Sequence, residues 1–386
     1  MPDPSLSPPF TPEHEELRDS VRRFVAAEIA PHVDEWERAG RFPRELFARC
    51  GELGFLGLKF PEELGGQGGT HVHDAVWVEE LARSGASGGV SAGLNAHASI
   101  AMPPILAFGD EEQRRRWLPP AIRGETIGAL GITEPGAGSD VASLHTRAVR
   151  DGDGWIVNGA KTFITNGTRA DFVVTACRTT EGGGHGGISF LVIETDSPGF
   201  EVVSHLEKLG WRASDTAEIS LTDVHVPAEN LLGPENGGFG LIMANFAWER
   251  LVMSVGAVGA MDRLIELTVR YAGEREAFGR PIGRHQAIRH KIADMATKAA
   301  AARALTYETL RRFDRGEEVI RQVSMTKLMT QRALVEIADE ALQIHGGYGY
   351  MREYEVERAL RDARLGPIGG GTDEIMREII GKTMGL

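Results

Sequence analysis

Apolar residues first recur at helical spacing. Leu17, Val21, Phe24, Val25 and Ile29 fall three to four residues apart and share one face of a helix that runs to Pro31. Thr11-Pro12 supplies its start, since threonine can cap free amides and proline is tolerated at the first helical position. A second helix fits 43–53, with Gly54 ending it, and further helical windows cover 73–83, 93–108 and 111–122. Residues 1–124 therefore read as a helical domain.

From about Glu125 the pattern changes to short runs of Val, Ile, Thr and Phe between Gly, Asn, Asp and Pro clusters. Strands are expected at 155–157, 162–165, 172–176, 188–193 and 218–221. Asp151-Gly152-Asp153-Gly154 and Asn158-Gly159 carry hairpin-turn chemistry, and Gly182 to Gly187 reads as a flexible loop. A small β domain over 125–235 follows. Beyond Gly233 to Gly238, strand signals give way to helices at 240–271, 286–312, 318–344, 354–361 and 373–384. Three successive helices of about 27 to 32 residues suggest a bundle over 236–386, long enough to offer subunit contacts.

Composition narrows the function. Acidic residues outnumber basic ones, 55 to 42, for a formal charge of −13. That argues against a surface built to neutralise nucleic-acid phosphates or anionic lipid, so any anionic ligand must be held locally. Glycine stands out at 48 of 386 residues, about 12% against a usual share of roughly 7%. Cys50 and Cys177 lie too far apart for a metal-spaced pair and read as reduced, buried thiols. Asp3, Glu13, Glu15, Glu16, Asp19 and Glu28 occupy the first thirty residues with no apolar run, which speaks against a signal peptide. The apolar stretch from Leu251 to Met261 falls short of a membrane span, and the expected location is the cytoplasm. Neither His71/His73 nor His285/His290 sits beside the carboxylates or cysteines of a recognisable metal site, so no metal is expected. There is no Gly-x-Ser-x-Gly elbow and no Walker lysine motif.

Five segments remain as candidates, each with an ordinary alternative. Ile132 to Asp140 carries Gly136 and Gly138, whose backbone could approach a phosphate or ring edge, beside Thr133 and Ser139. A dinucleotide-binding reading fails because Val141 stands where the third glycine belongs, and the alternative is a surface turn. Lys161 to Gly167 is a strand running into a turn. Phe246 to Leu251 puts Glu249 among apolar neighbours on a long helix, where a carboxylate is costly unless paired with a basic side chain or functional. Gln343 to Gly349 fits a helix C-cap, and Ile368 to Ile375 sets three glycines before the last helix, as an anion site or a hinge.

Taken in order along nearly the whole chain, these segments resemble the acyl-CoA dehydrogenase family of flavoenzymes. Thr133 to Asp140 matches the family's flavin loop, and Phe163-Ile164-Thr165 matches the strand against the isoalloxazine, with phenylalanine where tryptophan is usual. Arg275, Phe278 and Gln286 match the part that reaches the FAD of a neighbouring subunit, and Gln343, Gly346, Gly347, Thr372 and Glu374 complete that contact. The resemblance implies an α+β chain of a helical N-terminal domain, a central β-barrel-like domain and a C-terminal four-helix-type bundle, assembled as a homotetramer, a dimer of dimers. It implies FAD bound by these residues with Leu130, Ile132, Gly138 and Ser139. It places the acyl-CoA substrate at Ser139, Phe246, Glu249, Arg250 and Gly371.

One departure matters. Many members carry the catalytic glutamate where this chain has Gly370, before the Gly371-Thr372 pair. A minority branch, including isovaleryl-CoA and long-chain acyl-CoA dehydrogenases, places it on the first long C-terminal helix before an arginine, as Glu249-Arg250 stand here. The resemblance then implies that Glu249 removes the α-proton while the Gly370 amide and a FAD hydroxyl hold the thioester oxygen. It gives trans-2-enoyl-CoA as product and an electron-transfer flavoprotein as the acceptor. The alternatives are a carrier-protein thioester as substrate, or a noncatalytic, DNA-associated relative, against which the −13 charge and the retained Glu249 both count.

Overall fold

The computed structural model describes residues 9–181 and 184–386. Asp3, and Gly182 and Gly183 of the expected glycine loop, lie outside the described residues. Seven α-helices build the first third: α1 (Pro12–Phe24), α2 (Val33–Ala39), α3 (Glu45–Glu52), α4 (His71–Arg83), α5 (Gly88–Asn95), α6 (Met102–Phe108) and α7 (Glu111–Ile122). α1 starts where Thr11-Pro12 points, its cap closed by Thr11 N–H donating to His14 Nδ1 at 3.1 Å. It does not stop at Pro31: a π-helical turn, Val25–Ile29, and a 3₁₀ turn, Ala30–His32, carry the chain into α2. Pro31 is accommodated at the start of a short turn, where its missing N–H leaves no partner wanting. The helix expected at 93 begins five residues earlier, because Ser87 caps it by accepting from Val90 N–H, and a π segment, Ala96–Ala101, separates α5 from α6.

The central domain is a sheet of eight strands: β1 (Gly128–Gly131), β2 (Arg147–Asp151), β3 (Gly154–Thr165), β4 (Phe172–Arg178), β5 (Ile188–Glu194), β6 (Phe200–His205), β7 (Thr216–Pro227) and β8 (Leu231–Leu232). The order is β6-β7-β3-β2-β4-β5-β8, with β1 parallel to β4. β4 is buried on both faces. Phe172, Val174 and Ala176 join a core shared with α6, α7 and the start of the long C-terminal helix, while Val173 and Cys177 join the core inside the sheet. That explains its unbroken apolar run.

Asp151 to Gly154 makes the expected hairpin, with Gly152 at φ +58°. Asn158-Gly159 does not turn the chain. β3 continues through it as one strand with a bulge, its register against β7 shifting between Val157 and Gly159. A Cβ on Gly159 would come within 2.5 Å of Thr146 Oγ1, so glycine serves close approach. Cys50 and Cys177 are free and buried, and burial pushes the Cys177 thiol up to about 12.

The last third holds α8 (Gly238–Glu274), the hairpin of β9 (Glu276–Ala277) and β10 (Arg280–Pro281), then α9 (Gln286–Asp314), α10 (Ile320–His345), α11 (Glu355–Ala363) and α12 (Asp373–Thr383). α8 is long and apolar enough to cross a bilayer by length and composition, but its apolar side chains go into protein cores. Leu241 and Ile242 enter the core shared with the sheet, Trp248 to Val255 enter the N-terminal helical core, and Ala257 to Ile265 pack with α9, α10 and α11.

Candidate active site

Glu249 sits where α8 passes between these cores. Trp248 beside it is buried, lies under the Lys59 ammonium at 4.5 Å and packs against His71, which fixes the helix on that side. Among the described residues Glu249 forms no ion pair with a base, and its Oε2 is shut off from solvent without a hydrogen-bond partner. Burial pushes the carboxyl up to about 7, held there against the lowering influence of Arg250 and Lys327.

Its other oxygen faces the glycine turn before α12. A Cβ at Gly370 would lie 3.7 Å from Glu249 Oε1 and only 2.7 Å from Met253 Sδ. The turn needs left-handed backbone at two successive positions, φ +63° at Gly370 and +97° at Gly371, which glycine adopts without strain. Arg250 Nε–H donates to the Gly370 carbonyl at 3.0 Å, and its guanidinium lies 5.3 Å from the Phe246 ring centre. Phe246, Glu249, Arg250, Gly370 and Gly371, named from sequence, thus form one cluster.

A second cluster forms at the sheet. Thr162 N–H donates to the Thr133 carbonyl at 2.9 Å, which sets the Thr133 loop beside Phe163 and Thr165. Phe163 is 68% exposed at φ +61°, an uncommon backbone conformation for an aromatic residue. Gly136 and Gly138 have open space where a Cβ would be, so nothing within the chain explains their lack of side chains. An exposed ring, two half-buried threonines and an open glycine loop fit a flat, phosphate-bearing cofactor such as FAD. Leu130, half-buried, and Ile132 pack with the core between sheet and helices, and Ile164 packs inside the sheet, so Ile132 and Ile164 present mainly their backbone to a ligand. Ser139 is exposed on its loop.

The remaining expected contacts lie on the outside of the C-terminal domain. Arg275, Gly346 and Gly347 share an open cleft of about 460 Å³ with Tyr271 and Tyr348. Phe278 is 96% exposed at the tip of the β9–β10 hairpin, where Phe278 and Gly279 both take positive φ, the two-residue turn that matches strand twist. Gln286, Gln343 and Glu374 are exposed, while Thr372 caps α12 by accepting from Ile375 N–H.

Three further polar side chains have no role in the sequence reading. Glu134 of the Thr133 loop and Lys161 form a buried pair at 2.8 Å. Lys161 also donates to the Ile132 and Ala176 carbonyls, and Glu134 accepts from the His145 and Thr146 amides. Burial alone would raise the Glu134 carboxyl, but Lys161 and these donors hold it below its usual range. Lys327 is buried and donates to the Gly371 carbonyl at 2.6 Å. Its signal was position: four residues after Val323 and seven before Leu334, it falls on the buried stripe of α10.

Three family descriptions match the chain: acyl-CoA dehydrogenase, N-terminal domain, over residues 11–125; middle domain, over 129–224; and C-terminal domain, over 236–385. An acyl-CoA dehydrogenase of Bacillus subtilis (strain 168) is 41% identical over 96% of this chain and 98% of its own. The mitochondrial long-chain specific acyl-CoA dehydrogenase of Sus scrofa is 40% identical over 97% of this chain and 86% of its own. A probable acyl-CoA dehydrogenase of Mycobacterium abscessus superposes with a TM-score of 0.95 at 51% identity, covering 97% of this chain and 99% of the other. The chain therefore belongs to the acyl-CoA dehydrogenase family, FAD-dependent oxidoreductases that dehydrogenate acyl-CoA thioesters.

Proposed function

We propose that Glu249 is the base that takes the α-proton of the acyl-CoA thioester, and that the Gly370 turn receives the thioester beside it. The observation that carries this reading is a buried carboxylate with one oxygen unpartnered and the other against a glycine whose side chain would otherwise fill the space. Burial sets the carboxyl at about 7, where the ionised form is available and still basic enough to accept a proton. Arg250 fixes the Gly370 peptide while carrying the nearest compensating charge. The backbone of the turn offers donors to the thioester oxygen, whose growing negative charge is what such donors stabilise. FAD supplies the acceptor for the β-hydride, and Thr133, Phe163 and Thr165 are the residues that would hold its ring.

The exposed set Arg275, Phe278, Gln286, Gln343, Gly346 and Gly347 supports a cofactor completed by a second copy of the chain, in a homotetramer built as a dimer of dimers. An electron-transfer flavoprotein is the inferred acceptor from the reduced enzyme. Glu249→Gln tests the central assignment. It should retain flavin and slow anaerobic flavin reduction by acyl-CoA by about 10²–10⁴-fold, the usual worth of a positioned base; near-native reduction would overturn the assignment. A panel of straight and branched acyl-CoAs, scored the same way, identifies the acyl group.

A further inference from the structure

Two cations hold two consecutive carbonyls of the glycine turn. Arg250 Nε takes Gly370 O at 3.0 Å from α8, and Lys327 Nζ takes Gly371 O at 2.6 Å from α10. Arg250 follows Glu249 directly and is partly accounted for by that neighbour. Lys327 is different. Its side chain is buried, it has no salt bridge among the described residues, and a neutral donor would suffice to hold a carbonyl. An ammonium in that setting costs solvation, so its charge asks for a purpose. The charged groups facing it are Asp373 and Glu374 on α12 and Arg250 and Glu249 on α8. Asp373 is engaged by Arg332, which leaves Glu249 as the buried carboxylate without a bonded partner of its own.

We propose that Lys327 is a positioning residue for proton abstraction: its ammonium anchors the glycine turn through the Gly371 carbonyl and supplies the positive field that keeps Glu249 ionised. This rests on the reading of Glu249 as base. The charges facing Glu249 are Arg250 on its own helix and Lys327 across from it, so removing Lys327 leaves one cation to oppose the effect of burial. Burial lowers Lys327 to about 8, with Asp373 the largest of the carboxylate influences opposing it. The turn is the shared element. It faces Glu249 Oε1 at Gly370, where a Cβ would lie 3.7 Å away, and binds Lys327 through Gly371, so one anchor serves both geometry and charge.

The test reads the Glu249 carboxyl directly, by its acid carbonyl stretch in infrared spectra taken across pH and assigned by its loss in Glu249→Gln. In Lys327→Gln the midpoint should move up by about one pH unit, a tenfold smaller ionised fraction at fixed acidic pH. The acid limb of kcat for acyl-CoA-dependent flavin reduction should move with it, KM should change little, and Lys327→Arg should restore both. If Lys327→Gln does not fold, Asp373→Asn provides the second arm, since it weakens protonation of Lys327 and should shift the midpoint in the same direction by less. An unchanged midpoint in a folded variant, or a slower enzyme with an unmoved acid limb, overturns the proposal. Failure of the native enzyme to reduce its flavin with any acyl-CoA would overturn the function instead, and the infrared midpoint would still be measurable.

Discussion

The Glu249 cluster and the cofactor face are built on opposite plans. Around Glu249 three elements of the chain converge: α8 supplies Phe246, Glu249 and Arg250, the turn before α12 supplies Gly370 and Gly371, and α10 supplies Lys327. The cofactor face is open, with Phe163 and Phe278 exposed in strained backbone and Gly346 and Gly347 on a cleft wall. Chemistry that depends on a shifted carboxyl requires exclusion of water, which a closed cluster provides. A large ligand bound at a surface requires that surface held ready, and rigid support beneath it.

That support is where the largest effect is expected. Lys161→Met strands Glu134 in a buried site, so it should cost about 3–5 kcal/mol in denaturant unfolding and release flavin. Equal stability would mean that the open face does not depend on its buried pair. Gly370→Ala comes next. Its Cβ would meet Met253 Sδ at 2.7 Å in left-handed backbone, a strain of about 1–2 kcal/mol before any clash. Flavin reduction should fall at least tenfold while flavin content stays native, which would separate the two regions cleanly.

Glu249→Gln carries a stability effect of the opposite sign. The folded carboxyl is raised to about 7 from a usual value near 4.5, so folding becomes costly as pH climbs from the lower value to the higher. The variant should match the native protein below about pH 4.5 and be about 3 kcal/mol more stable at pH 8, as read by pH-dependent unfolding. The smallest effect on the fold belongs to Phe278→Ala, within about 0.5 kcal/mol because the ring touches little in its own chain. Flavin retention and assembly size, read by absorbance and sedimentation, should nevertheless drop.

Much of the fold was legible because periodicity reports burial. α7 was bounded by pattern alone, and the long helices of the last third were found to within a few residues. The misses share a cause. β1, Gly128-Ala129-Leu130-Gly131, has no β-branched residue and exists through pairing with β4, and β2 is mostly exposed and polar. Asn158-Gly159 has turn chemistry, yet its long-range pairing with β7 makes it a bulge. At the site, Glu249 and Gly370 were readable as identities, but the pairing of Lys327 with Gly371, 44 residues apart, is set only by the approach of α10 to the last turn.

α8 has a consequence for how the molecule comes apart. Its 37 residues contribute successively to the core at the sheet, the core of the N-terminal helices and the core of the bundle. Melting any one of these deprives the same rod of support, so the stabilities of the three cores are expected to be coupled through α8. Glu249, carried where α8 passes between two of those cores, is then expected to lose its surroundings when either core opens.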